Sequence, residues 1–91
     1  MASIETLIDN DNAVVEFIFH HGARRIWSRA YDLDGIPPAE WEFTITAMRR
    51  EASEALETVL KLGLSLDGLT EEESQQAIDA AYEIWRIENG R

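Results

Sequence analysis

Cysteine is absent, prolines number two and glycines five, and basic side chains are scarce, with eight Lys and Arg against eighteen Asp and Glu. Without cysteine the chain can build neither a disulfide framework nor a Cys-based zinc site. No apolar run approaches the ~20 residues that a membrane-spanning helix requires. The opening MASIETLIDNDN lacks a basic region and turns polar after Ile8, unlike a signal peptide. A cytoplasmic location with no membrane partner is therefore expected. The shortage of cations weighs against direct nucleic-acid binding, because neutralising phosphates takes Lys and Arg.

What is present is an ordinary globular mix, 45% hydrophobic and 29% charged, in 91 residues. That is enough for one domain, 1–91, with a modest core. The net charge of −10 is unevenly laid out. The segment before Asn12 carries −3, Asn12 to Leu33 +1, Asp34 to Gly63 −3, and the remainder −5. Acidity on this scale keeps a small domain soluble. It also favours basic protein partners, including surfaces that normally hold nucleic acid.

Helical periodicity organises the chain around Asn12 to Leu33, NAVVEFIFHHGARRIWSRAYDL. At 100° per residue, Val15, Phe19, Gly22, Ala23, Ile26, Ala30 and Leu33 form one stripe, with Trp27 on its shoulder. Ser3 suits the N-cap of a short preceding turn holding Ile4, Leu7 and Ile8, and Asp9 to Asn12 suit the break that caps the long helix. That acidic cluster matches only two positions of a calcium loop, with no glycine at the sixth place and no glutamate at the twelfth. Gly35 and Pro38 mark a stop and restart. From Pro38 to about Gly63 a second stripe runs through Trp41, Ile45, Met48, Ala52, Ala55, Leu56, Val59 and Leu60, and Ala52 and Ala55 leave room for Gly22 across an interface. Between Gly63 and Gly68, LSLD reads as an apolar loop folding back over the core. Thr70 and Glu73 form a capping box that opens a third helix to about Glu88, burying Ala77, Ile78, Ala81, Ile84 and Trp85. The expected fold is all-α: a compact bundle of three long helices with a short N-terminal helical turn. The competing reading pairs VVEFIF with WEFTIT as strands, since the first is rich in β-branched and aromatic residues and the second alternates.

Few residues assemble into a chemical motif. Glu16 and His20 stand four apart on a helix face, which reads first as a helical pair and second as two metal ligands without a third. His20, Arg24, Arg25 and Arg29 make the basic patch, suited to a phosphate, an acidic peptide or pairing with the acidic third helix. Glu51, Glu54 and Glu57 give E-x-x-E on the second helix. This stretch resembles the first carboxylate motif of the all-helical MazG-type nucleotide pyrophosphatases. The resemblance implies magnesium and a nucleoside triphosphate, bound together with a later E-x-x-D. Here the corresponding stretch is Gln76-Ala77-Ile78-Asp79, with glutamine in place of the first acid.

With no convergent catalytic set, no metal site and no cofactor expected, the sequence points to a non-enzymatic interaction protein. It would bind, and inhibit or modulate, a basic protein partner. In size and charge it resembles small acidic proteins of phage or mobile-element origin, among them anti-CRISPR and anti-restriction inhibitors and nucleic-acid mimics. Glu54, Glu57, Glu72, Asp79 and Glu83, all off the apolar stripes, form the expected acidic binding face. Val14, Phe17 and Ile18, surplus to the first stripe, and Phe43 on the second helix form the expected homodimer interface. The alternatives are the MazG-like hydrolase and a purely structural oligomer.

Overall fold

A computed structural model describes residues 2–61 and 66–89. The chain is α+β and not an all-α bundle. Strand β1 (Ala2–Asp9), β2 (Val14–His21) and β3 (Arg24–Asp32) form an antiparallel sheet in the order β1-β2-β3. A 3-10 turn over Pro38–Glu40 leads into helix α1 (Trp41–Lys61), and α2 (Glu71–Glu88) closes the described chain.

The expected first long helix is thus a β-hairpin, and the expected N-terminal helical turn is a strand. The physical reason lies in a period of two that the helical stripe conceals. Val15, Phe17 and Phe19 alternate along β2 and are all buried, while Val14, Glu16, Ile18 and His20 take the opposite face. The residues that looked surplus to a helix are a strand's two faces. Gly22 sits in no helix interior and meets no alanine face. With φ +65° it occupies the first central position of the two-residue turn closed by His21 and Arg24, where glycine adopts the required backbone without strain. Asp9 caps no helix either. Its carboxylate accepts from Asp11 N, Asn12 N and Asn12 Nδ2 and shapes the β1–β2 turn.

The sheet's inner face carries Ile4, Thr6 and Ile8 on β1, in register with Phe19, Phe17 and Val15 on β2. On β3, Trp27, Arg29 and Tyr31 continue the same rows. A bulge between Phe19 and His20 leaves Ile26 as the extra residue, so Ile26 and Trp27, though adjacent, are both buried. Both helices cover this face. Phe19, Ile26 and Trp27 pack with Ala52, Ala55, Leu56, Ile78 and Tyr82, and a second cluster joins Val15, Phe17, Leu33 and Ile45.

Helix α1 buries Ile45, Ala52, Ala55, Leu56 and Val59 of its expected stripe, whereas α2 buries Ser74, Ile78 and Tyr82 and leaves the expected core residue Ile84 exposed, because the helix turns its Ser74–Tyr82 face to the sheet. Trp41 donates from Nε1 to Ile36 O at 2.8 Å, fixing the entry to α1. Thr70 Oγ1 accepts from Glu73 N while Glu73 Oε1 accepts from Thr70 N, a complete capping box. Half of the loop expected to fold back, Leu64 and Ser65, lies outside the described residues, as does Gly63 before it, while Leu66 packs against the core. Among those described, no helix is long and apolar enough to cross a membrane.

Candidate functional site

Helix α2 runs along the outer edge of β3, and the two are joined residue by residue. Gln75 Oε1 accepts from Ser28 N and Gln75 Nε2 donates to Ser28 O, both at 2.7 Å, so one side-chain amide stands in for a neighbouring strand. One turn on, Asp79 accepts from Trp27 Nε1 at 3.0 Å. A further turn on, Glu83 accepts from Arg29 at 2.6 Å, with Asp79 at 3.5 Å from the same guanidinium. Arg29 also lies over the Tyr82 ring at 4.7 Å from its centroid, and the Tyr31 and Tyr82 hydroxyls meet at 3.2 Å. Gln75, Asp79 and Glu83 stand four apart, a polar stripe alongside the buried Ser74, Ile78 and Tyr82.

Electrostatics follow from this seam. Partial burial works against the charge on Arg29, but the hydrogen bond it donates to Glu83, with Tyr31 and Asp79 behind it, wins and raises its pKa. Arg29 in turn holds Glu83 below the usual carboxylate range, helped by Arg86 at 3.2 Å. Burial, then the Tyr31 hydroxyl, pushes the Tyr82 phenol far up, so it stays un-ionised. A cleft of about 220 Å³ opens beside the seam, lined by Arg29, Tyr31, Met48, Glu51, Tyr82 and Arg86. Its two guanidinium groups are already bridged by Glu83, and Glu51 adds a carboxylate to the wall. The cleft is charge-balanced rather than an anion pocket.

The other expected site residues disperse. Arg24 turns into the α1–α2 connection, donating to Leu66 O at 2.8 Å, to Leu69 O, and to Ser74 Oγ at 3.2 Å. Arg25 donates to Ser28 Oγ, and His20 meets Glu5 on the sheet's open face at 3.2 Å. His20, Arg24, Arg25 and Arg29 therefore point four ways. Of the expected acidic face, Glu54, Glu57 and Glu72 are exposed, while Asp79 and Glu83 are drawn into the β3 seam. Of the expected dimer residues, Phe17 is fully buried in the core. Val14 and Ile18 lie on the sheet's open face, and Phe43 is exposed on α1, so the four make no common surface. The MazG-type resemblance implies an all-helical fold, and a sheet occupies the place of its first helix. Among the described residues no group of three His, Asp or Glu is arranged to hold a metal ion.

Exposed carboxylates instead gather at one end of the molecule, a grouping that a reading based on helices could not find. Asp9 and Asp32 flank Val14 in one cross-strand row. Leu33 N donates to Ala13 O at 2.7 Å, tying the end of β3 to the β1–β2 turn. Ile36 and Trp41 pack on the same cluster as Ala13 and Leu33, which brings the start of α1 to this end. Asp9, Asp11, Asp32, Asp34, Glu40 and Glu42 are all exposed there. No Lys or Arg occurs in residues 2–23 or 30–48. Comparison of the chain with protein-family models, with curated proteins and with solved structures yields no match.

Proposed function

We propose that this protein is a non-enzymatic acidic binding module that occupies a basic surface on a protein partner, of the kind that ordinarily holds nucleic acid. One observation carries the reading: five of the seven described Lys and Arg side chains are engaged internally, while most carboxylates face solvent. Arg24, Arg25, Arg29, Arg49 and Arg86 each donate to groups within the chain. Asp11, Asp32, Asp34, Glu40 and Glu42 project into solvent at the turn-bearing end. A net charge of −10 arranged this way steers a basic partner by long-range attraction. Occupying such a surface inhibits the partner by excluding its nucleic acid.

The test compares wild-type bait with a variant carrying Asp11→Asn, Asp32→Asn, Asp34→Asn and Glu40→Gln. Each of these residues is exposed and makes no contact that holds the core. Wild type retains a basic host protein, releases it as salt rises, and competes with DNA or RNA for it. The variant loses retention with unchanged circular dichroism. Equal retention by both baits at every salt concentration contradicts the reading.

A further inference from the structure

The sheet has two edges, and only one is finished. At β3 the outward main-chain groups of Ser28 are satisfied by the Gln75 amide. The phase of the ladder follows from that bond. In antiparallel pairing, a residue whose N–H and C=O point outward faces a partner whose groups point the other way. Ser28 pairs with Ile18, so Ile18 addresses β1, and its partner Glu5 answers it. Alternation then puts the main chains of Ile4, Thr6 and Ile8 on the free edge of β1. An independent contact agrees, since Arg49 Nη2 reaches Ile4 O at 3.4 Å from α1. Among the described residues, the Ile4, Thr6 and Ile8 N–H groups and the Thr6 and Ile8 carbonyls meet no other backbone.

Edge strands are normally protected by lysine, proline, a bulge or a covering element. β1, ASIETLID, has no lysine or proline, and its pairing with β2 is unbroken over all eight residues. A second observation falls on the same strand. Thr6 Oγ1 is, among the described residues, the buried side-chain polar atom that has no hydrogen-bond partner. Thr6 is also the middle member of the outward-facing set.

We propose that β1 is a homodimerisation strand: two copies pair β1 to β1 antiparallel about a two-fold axis through Thr6, making one six-stranded sheet. This inference stands independently of the function proposed above. A two-fold axis normal to the sheet keeps inner face with inner face, so partners must share a face. The Thr6 axis meets that condition with the full strand in overlap. Thr6 then exchanges both main-chain bonds with its symmetry mate, and Ile4 does the same with the second copy's Ile8, its carbonyl oxygen using one lone pair for the Ile8 N–H and the other for the long Arg49 contact. Turning about χ1 lets the two Thr6 hydroxyls bond each other across the axis, a recurrent cross-strand pair. On the open face Glu5 lies opposite the second copy's Leu7, and Asp9 opposite its Ser3, so no carboxylate directly opposes another. His20 draws Glu5 toward β2 and away from the new interface. The half-exposed Leu7 and Ile8 are covered in the process.

Light scattering after size exclusion, with chain at about 100 μM, tests the dimer, since an interface of this size dissociates on dilution. Wild type gives twice the 10.4 kDa chain mass and falls to the monomer on dilution. Thr6→Pro removes an outward N–H and leaves the β1–β2 ladder intact. It is monomeric with an unchanged circular dichroism spectrum. A second pair of variants tests the register without touching the backbone. Leu7→Glu opposes Glu5 of the second copy and weakens the dimer roughly tenfold, because the clash occurs twice. Leu7→Lys tightens it. A wild-type chain that stays monomeric at this concentration overturns the proposal, as does a dimer whose dissociation ignores both Leu7 variants. Capture of an extended segment from another protein by a monomeric chain assigns the edge to that partner and also overturns it.

Discussion

Along β3 the outward main-chain groups of Ser28 meet a side-chain amide, whereas along β1 those of Thr6 and Ile8 meet no other backbone among the described residues. The contrast extends to side chains. Trp27, Arg29 and Tyr31 are each bonded to α2, while Leu7 and Ile8 are half exposed. One edge has been turned into the protein's principal internal joint. The other has been left able to pair. A small sheet needs both kinds of edge if it is to be stable and still associate through its backbone.

The largest expected effect comes from breaking the finished side. Trp27 is buried, stacked 5.3 Å from the Tyr82 ring centroid and bonded to Asp79. Trp27→Ala should cost about 3–5 kcal/mol in urea unfolding, whereas Leu7→Ala on the open side should stay within about 0.5 kcal/mol. Next comes the joint itself. Gln75→Ala strands the Ser28 N–H and C=O, for about 1–3 kcal/mol. It also gives the sheet a second open edge, so association should rise with concentration even when Thr6→Pro is present.

A smaller effect separates the edges by pH. Glu83 is held below the ordinary carboxylate range by its bond to Arg29. A depressed carboxylate contributes stability that is fully present above its unfolded-state value and is lost as pH falls through the folded-state value. Stability should therefore fall on acidification into that range, and Glu83→Gln should flatten that part of the curve. Leu7→Ala should leave the acid limb unchanged, because among the described residues no carboxylate on the β1 side is paired with an arginine in this way.

The helices were legible because their signals are local. The capping box at Thr70 and Glu73 and the stripe Ile45, Ala52, Ala55, Leu56, Val59 each lie within a few turns of chain. The hairpin was obscured by its own density of apolar residues. NAVVEFIF satisfies periods of 3.6 and 2 together, and only the pairing of β1 with β2 decides between them. ASIETLID shows its alternation of Ile4, Thr6 and Ile8 only once a neighbouring strand exists. The β3 seam was hidden for a different reason. Gln75, Asp79 and Glu83 are polar and helically spaced, which describes a solvated face as well as one that grips a strand edge. Sequence separations of about fifty residues join them to Trp27, Ser28 and Arg29, and no local pattern encodes that.

Residue-resolved amide hydrogen exchange at two protein concentrations tests the unequal edges most directly. The Ser28 amide should exchange slowly at both, because Gln75 holds it within the monomer. The Thr6 and Ile8 amides should exchange fast in dilute solution and slow markedly when the chain is concentrated. Fast exchange at Ser28, or Thr6 protection that does not change with concentration, would contradict the account.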